Sequence, residues 1–171
     1  MSVVATGLTV LASSTVDGEP PALAGFVVSS FSPLVAEAAE RCLRAYHGEP
    51  PVEPARGART ALVIASPSGD VTSAVHVARC VDSGSRVGPL LFFQSVPNAV
   101  AGHVAARWGL AGPVVCVSPA GDPMDEGLDV AALLMDDGDA GEALVVAVEQ
   151  GGAGTGDRAS AVLVRTEGET R

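Results

Sequence analysis

The stretch from Phe92 to Gln150 constrains the chain most, because its apolar pattern changes period several times with only short breaks between. Asn98, Ala101, Gly102 and His103 begin a segment with helical spacing that ends at Gly109. Gly112-Pro113 then breaks the chain and launches a short strand, Val114 to Val117. Met124 to Met135 sets Leu128, Ala131, Ala132, Leu134 and Met135 on a helix. Glu142 to Gln150 is again an apolar run of strand length. Strands that alternate with helices in this way build a mostly parallel sheet.

The rest of the chain continues the alternation. Val3 to Leu11 is β-branched and apolar, as a buried first strand should be. A Gly- and Pro-rich loop follows from Asp17 to Pro21, and Ala24 to Val28 reads as a short strand or an extended connection. Ser32-Pro33 is a helix start, with Ser as N-cap and Pro in the first turn, and that helix runs to about Tyr46. Prolines between Gly48 and Gly57 end it. Thr60 to Ala65 is a buried strand, Thr72 to Val81 a helix, and Asp82 to Gly88 a loop. Ala159 to Arg165 forms the last strand after a flexible Gly151–Gly156 link, and the tail from Thr166 is polar and frayed. Two adjacent strands at the end imply one antiparallel edge strand on the sheet, with helices on both faces.

At 171 residues, with 47% hydrophobic and 18% charged residues, the chain fits one globular domain over 1–171. A net charge of −10 argues against nucleic acid and anionic membrane surfaces as partners. No apolar run has membrane-spanning length and the first basic residue is Arg41, so a cytoplasmic protein without a secretory leader is expected. Cys42, Cys80 and Cys116 show neither disulfide nor zinc spacing. The acids Asp136, Asp137 and Asp139 read as a solvated helix end, and G-G-A-G-T-G lacks the Lys of a phosphate loop. No metal and no cofactor is expected.

The order N-A-V-A-G-H, G-L-A-G-P, V-V-C-V-S and A-L-V-V-A-V-E, with V-V-A-T-G-L at the start, resembles the β-ketoacyl synthases of the thiolase superfamily. The resemblance covers nearly the whole chain, with its strong motifs between Phe92 and Gln150. It implies one half of a thiolase-like fold, an α/β domain with a five-stranded sheet. It also implies that the C-terminal half, with the family's two histidine motifs, is absent, and that His47, His76 and His103 stand in other places.

In that family the strand after Gly-Pro runs into an elbow whose cysteine takes the acyl chain. Laid without a gap from Gly112-Pro113, that position falls on Gly121, so no catalytic residue is expected. Asp122 beside it would repel a thiolate. Cys116, the nearest thiol, reads as core within V-V-C-V-S. His103 reads as a packed or surface residue, and Trp108 as a core or interface anchor. By resemblance, Val114, Val115, Cys116 and Val117 form an edge strand that pairs across a twofold axis. Phe92 and Phe93 either help wall an acyl tunnel or are simply core.

The resemblance therefore implies a catalytically inactive ketosynthase-like protein that binds and scaffolds an active ketosynthase in fatty-acid or polyketide biosynthesis, as a chain-length factor does. The expected assembly is a homodimer or a heterodimer with a ketosynthase, with acyl carrier protein involved only indirectly. The alternatives are a small-molecule (acyl) binder, or an enzyme of different chemistry, reusing the half-fold.

Overall fold

The computed structural model describes residues 7–151 and 156–167. In chain order the elements are β1 (Leu8–Asp17), α1 (Phe31–His47), α2 (Pro54–Gly57), β2 (Thr60–Ala65), α3 (Val71–Asp82) and α4 (Pro89–Gln94). They continue with α5 (Pro97–Trp108), β3 (Val114–Val117), α6 (Pro123–Asp136), β4 (Glu142–Glu149) and β5 (Arg158–Thr166).

The five strands form one sheet in the order β1-β5-β4-β2-β3. β2 pairs parallel with β3 and with β4, while β5 pairs antiparallel with β4 and with β1. Four strands therefore share one direction and β5 alone is reversed. The expected α/β sheet is present, with one correction. The reversed strand is not at an edge but lies between β1 and β4. Its sequence accounts for this: Ala159, Ala161, Val162, Leu163 and Val164 are buried on both faces, which an open edge would not provide. β1 takes the edge instead, and its hydroxyl-rich second half, Ser13 to Thr15, tolerates it. That strand also reaches further than expected, to Asp17, because β5 supplies ladder partners that far. Residues 3–6 of the expected first strand lie outside the described residues, as do 152–155 of the link and 168–171 of the tail.

β2 is buried at every position, and its side chains alternate between two cores. Leu62 and Ile64 face α1 and α5, where Leu34, Val35, Ala38, Leu43, Val100 and Trp108 are buried. Ala61 and Val63 face α6, where Leu128, Ala131 and Met135 cover Val145, Val162 and Val164. Gly127 lets α6 come close, since a Cβ there would lie 2.6 Å from Val145 Cγ1. Gly112 does the same before β3, where a Cβ would lie 2.5 Å from the Thr60 carbonyl oxygen.

Other differences from the sequence reading are local. α1 starts before the expected Ser32 cap, and the Phe31 N–H donates to Ser29 Oγ at 3.1 Å. Pro33 still falls in the first turn, where no N–H is needed. Ala24 to Val28 forms no regular element. Two helices were hidden. α2 sits among the prolines, held by the Glu53 carboxylate accepting from Ala55 and Arg56 N–H, and α4 occupies P-L-L-F-F-Q. Thr166 belongs to β5, and the next residue, Glu167, donates its N–H to the Gly7 carbonyl at 2.8 Å. Among the described residues no helix is long and apolar enough to cross a membrane.

Candidate functional site

β2 and β3 are neighbours whose following loops leave on opposite faces. Residues 66–70 lead toward α3 and α5, and residues 118–122 lead to α6 on the other side. Such a divergence leaves a crevice at the carboxyl ends of the strands. A cavity of about 390 Å³ lies there, lined by Ile64, Ser66, Pro67, Cys116, Val117 and Ser118 among others. Pro97, at the start of α5, closes one side.

Gly121 is exposed at the end of the β3 loop, directly before α6. The free N–H groups at a helix start would favour an anion here. In this chain they are occupied by the helix's own acids. Asp122 Oδ1 accepts from Met124 N–H at 2.9 Å and Asp125 N–H at 3.0 Å. Glu126 reaches back and its Oε1 accepts the Gly121 N–H. A side chain at 121 would meet that carboxylate, with a Cβ 2.8 Å from Glu126 Oε1. Two carboxylates thus surround a position that itself carries no reactive atom. A thiolate or enolate beside them would be disfavoured.

β3 is an edge strand, as expected; among the described residues only β2 lies beside it. The expected burial of Cys116 is corrected: Val114 and Cys116 are exposed, because β3 ends the strand order and, among the described residues, no strand pairs on its outer side. The Cys116 thiol donates to Asn98 Oδ1 at 3.1 Å, and desolvation beside that helix pushes its pKa up. That is the wrong direction for a nucleophile. Phe92 and Phe93 are not core either. They stand on α4, 75% and 69% exposed, edge to face at 5.9 Å between ring centres.

Further apolar side chains are exposed on α3 and α4. α3 buries only Ser73 and leaves Val71, Val75 and Val81 exposed; α4 adds Leu90. Each of the two helices is held in place by contacts that sequence reasoning did not find. Buried Asp70 caps α3, accepting from Ser73 N–H at 2.9 Å, Ser73 Oγ at 2.7 Å and Ser29 Oγ at 2.5 Å. Gln94 anchors α4 by accepting the Val27 N–H at 2.8 Å and donating to the Val27 carbonyl. Among these, only the Asp70-x-x-Ser73 cap leaves a local signal in the sequence. None of the three histidines lines the crevice. His103 packs against Phe26, with ring centres 6.0 Å apart, and His76 lies on α3 beside Cys80.

A family model described as "Beta-ketoacyl synthase, N-terminal domain" matches residues 28–152. The chain belongs to this family. Its fold is similar to that of a ketosynthase in complex with its chain length factor from Xenorhabdus doucetiae. That similarity has a TM-score of 0.73 at 17% identity, covering 94% of this chain and 79% of that one. It is also similar to the ishigamide ketosynthase/chain length factor, with a TM-score of 0.72 at 20% identity over 87% of this chain and 47% of that chain. A β-ketoacyl synthase from Burkholderia phymatum STM815 matches with a TM-score of 0.72 at 15% identity, over 94% and 59% of the two chains. The chain thus spans about half to four fifths of the length of these matched chains. No curated protein matches in sequence.

The family's N-terminal domain is tied together here by two ionic clusters away from the elbow. At the start of β4, Glu142 accepts from Arg56 Nε at 2.9 and 3.0 Å, while Arg56 also donates to Tyr46 Oη at 2.9 Å. His47 stands beside them, its Nε2 buried without a hydrogen-bond partner and 3.9 Å from Glu142 Oε2. Burial, and then the Arg56 charge, hold its pKa below the ordinary 6.5, with Glu142 opposing. Between α1 and α5, Glu40 accepts from Arg107 and from Trp108 Nε1, and these bonds, Arg107 first, hold its pKa at about 2 against an ordinary 4.5. Both groups bind protons more weakly folded than unfolded, so both make acid destabilising. The His47 contribution is whole above about pH 6.5 and is lost as pH falls through its lowered folded value. The Glu40 contribution is whole above about pH 4.5 and disappears toward about 2. Urea midpoints measured against pH should fall in these two windows, and His47→Phe should abolish the first fall alone. A first fall that persists in that variant would place it elsewhere.

Proposed function

We propose that this chain is a non-catalytic ketosynthase-like subunit that binds and shapes an active ketosynthase in fatty-acid or polyketide biosynthesis. The observation that carries this reading is the pairing of opposites along one loop. An open, uncharged edge strand suited to association runs into an elbow with no nucleophile and an acid-filled helix start. In this reading Val114 to Val117 meet the partner's strand. Phe92 and Phe93 on α4 lie beneath the partner and help wall its acyl tunnel. The same reading has the subunit work in the cytoplasm, with acyl carrier protein met through the partner.

Two measurements test it. Incubation with acyl-coenzyme A or acyl carrier protein donors should leave the intact mass of the chain unchanged under denaturing conditions. A stoichiometric acyl adduct that disappears in Cys116→Ala would overturn the non-catalytic part. Tagged chain recovered from its native host should carry a ketosynthase identifiable by mass spectrometry; recovery without one removes the partner.

The crevice of about 390 Å³ favours a second reading, a binder of a small acyl-type molecule at the strand ends. Short-chain acyl-coenzyme A thioesters binding the isolated chain, with affinity lost on filling the crevice by Ser66→Phe, would favour it over the scaffold.

A further inference from the structure

α3 carries a pair of side chains that neither the elbow nor the edge strand employs. His76 and Cys80 are four residues apart on one helix, which brings them together over consecutive turns. His76 Nε2 and Cys80 Sγ are 3.5 Å apart. A zinc-class cation binds thiolate sulfur at about 2.3 Å and imidazole nitrogen at about 2.0–2.1 Å. With a tetrahedral angle at the metal, those bonds set sulfur and nitrogen about 3.5–3.6 Å apart. The two donor atoms therefore already have the separation that a shared tetrahedral ion imposes.

The frame around the pair is suited to holding it. α3 is fixed at its start by the Asp70 cap, and Ser83 Oγ donates to the Cys80 carbonyl at 3.2 Å at its end. His76 is exposed and Cys80 is half-buried on the helix flank, so an ion can reach both. A thiolate and an imidazole together select zinc-class and copper-class ions over calcium or magnesium. Among the described residues no third His, Cys, Asp or Glu joins them.

We propose that His76 and Cys80 form a bidentate site for a zinc-class divalent cation, one ion per chain. The remaining coordination positions are open to water or to a small exogenous ligand. On binding, the Cys80 thiol releases its proton to solvent and the neutral imidazole coordinates through Nε2, so binding strengthens as pH rises. The site is independent of any pairing through β3.

Cobalt(II), a spectroscopic stand-in for zinc, tests this in the reduced full chain. Titration should give tetrahedral ligand-field absorption and a thiolate-to-cobalt charge-transfer band, saturating at one ion per chain and bleached by zinc. Cys80→Ser should lose the charge-transfer band and His76→Ala should weaken cobalt binding at least about tenfold, whereas Cys116→Ser should change neither. Circular dichroism of each variant checks that the helices remain. No charge-transfer band in the unaltered chain, a band that survives Cys80→Ser, or saturation at one ion per two chains overturns the proposal.

Discussion

Leu128→Ala should destabilise the chain by about 2–5 kcal/mol, in the upper part of that range. Leu128 is 1% exposed and sits among Val63, Val145 and Val162. Among the described residues, α6 alone covers this face of the sheet, so no second helix can lean in to fill the space. The helix itself cannot sink either. Gly127 already brings its backbone to contact distance, as the 2.6 Å approach of an added Cβ to Val145 Cγ1 shows. A cavity that cannot collapse costs the full loss of contacts as well as the lost transfer energy. Urea unfolding should show a lower midpoint with an unchanged slope. Leu133→Ala, on the same helix but 63% exposed, should stay within about 0.5 kcal/mol of the parent. Equal effects from the two would mean that α6 lies on the sheet by a different face.

What could be read from the sequence was what a single segment determines. β2 is apolar at nearly every position, and a strand with both faces covered needs no other information. α3, α5, α6 and β4 were found for the same reason, with ends displaced by a residue or two. Whatever depended on a distant partner was not legible. P-L-L-F-F-Q has only six residues, too few to show a helical period, so α4 was invisible. V-V-C-V reads the same whether covered or open, and its exposure follows from the place of β3 in the sheet. The Arg56–Glu142 pair spans 86 residues and leaves no local trace. At the elbow, Gly121 stood out only through family resemblance. The structure added the acids of α6 that close around it.

Cys116→Pro should turn a dimer of this chain into a monomer without unfolding it. β3 already uses half of its backbone groups on β2. Leu62 N–H donates to the Pro113 carbonyl and Ser66 N–H to the Val117 carbonyl, so the odd-numbered positions face β2. Val114 and Cys116 therefore turn their N–H and C=O outward, toward whatever pairs with the edge. Proline at 116 removes an outward donor and leaves the inner ladder intact, a change that edge strands tolerate. Val114→Asp tests the same surface through a side chain that is 45% exposed, by placing a charge on an otherwise uncharged edge. Four residues of strand cannot bury the roughly 800 Å² per partner of a stable interface. Exposed apolar side chains outside the strand have to supply the rest, and Phe92 is 75% exposed, so Phe92→Asp should weaken association as well. Under the proposed function, sedimentation should show the unaltered chain as a dimer, or as a heterodimer when a ketosynthase partner is present, and both edge variants as folded monomers. A monomer at high concentration, or a dimer unmoved by either edge change, would remove β3 as the pairing surface and with it the basis for a partner there.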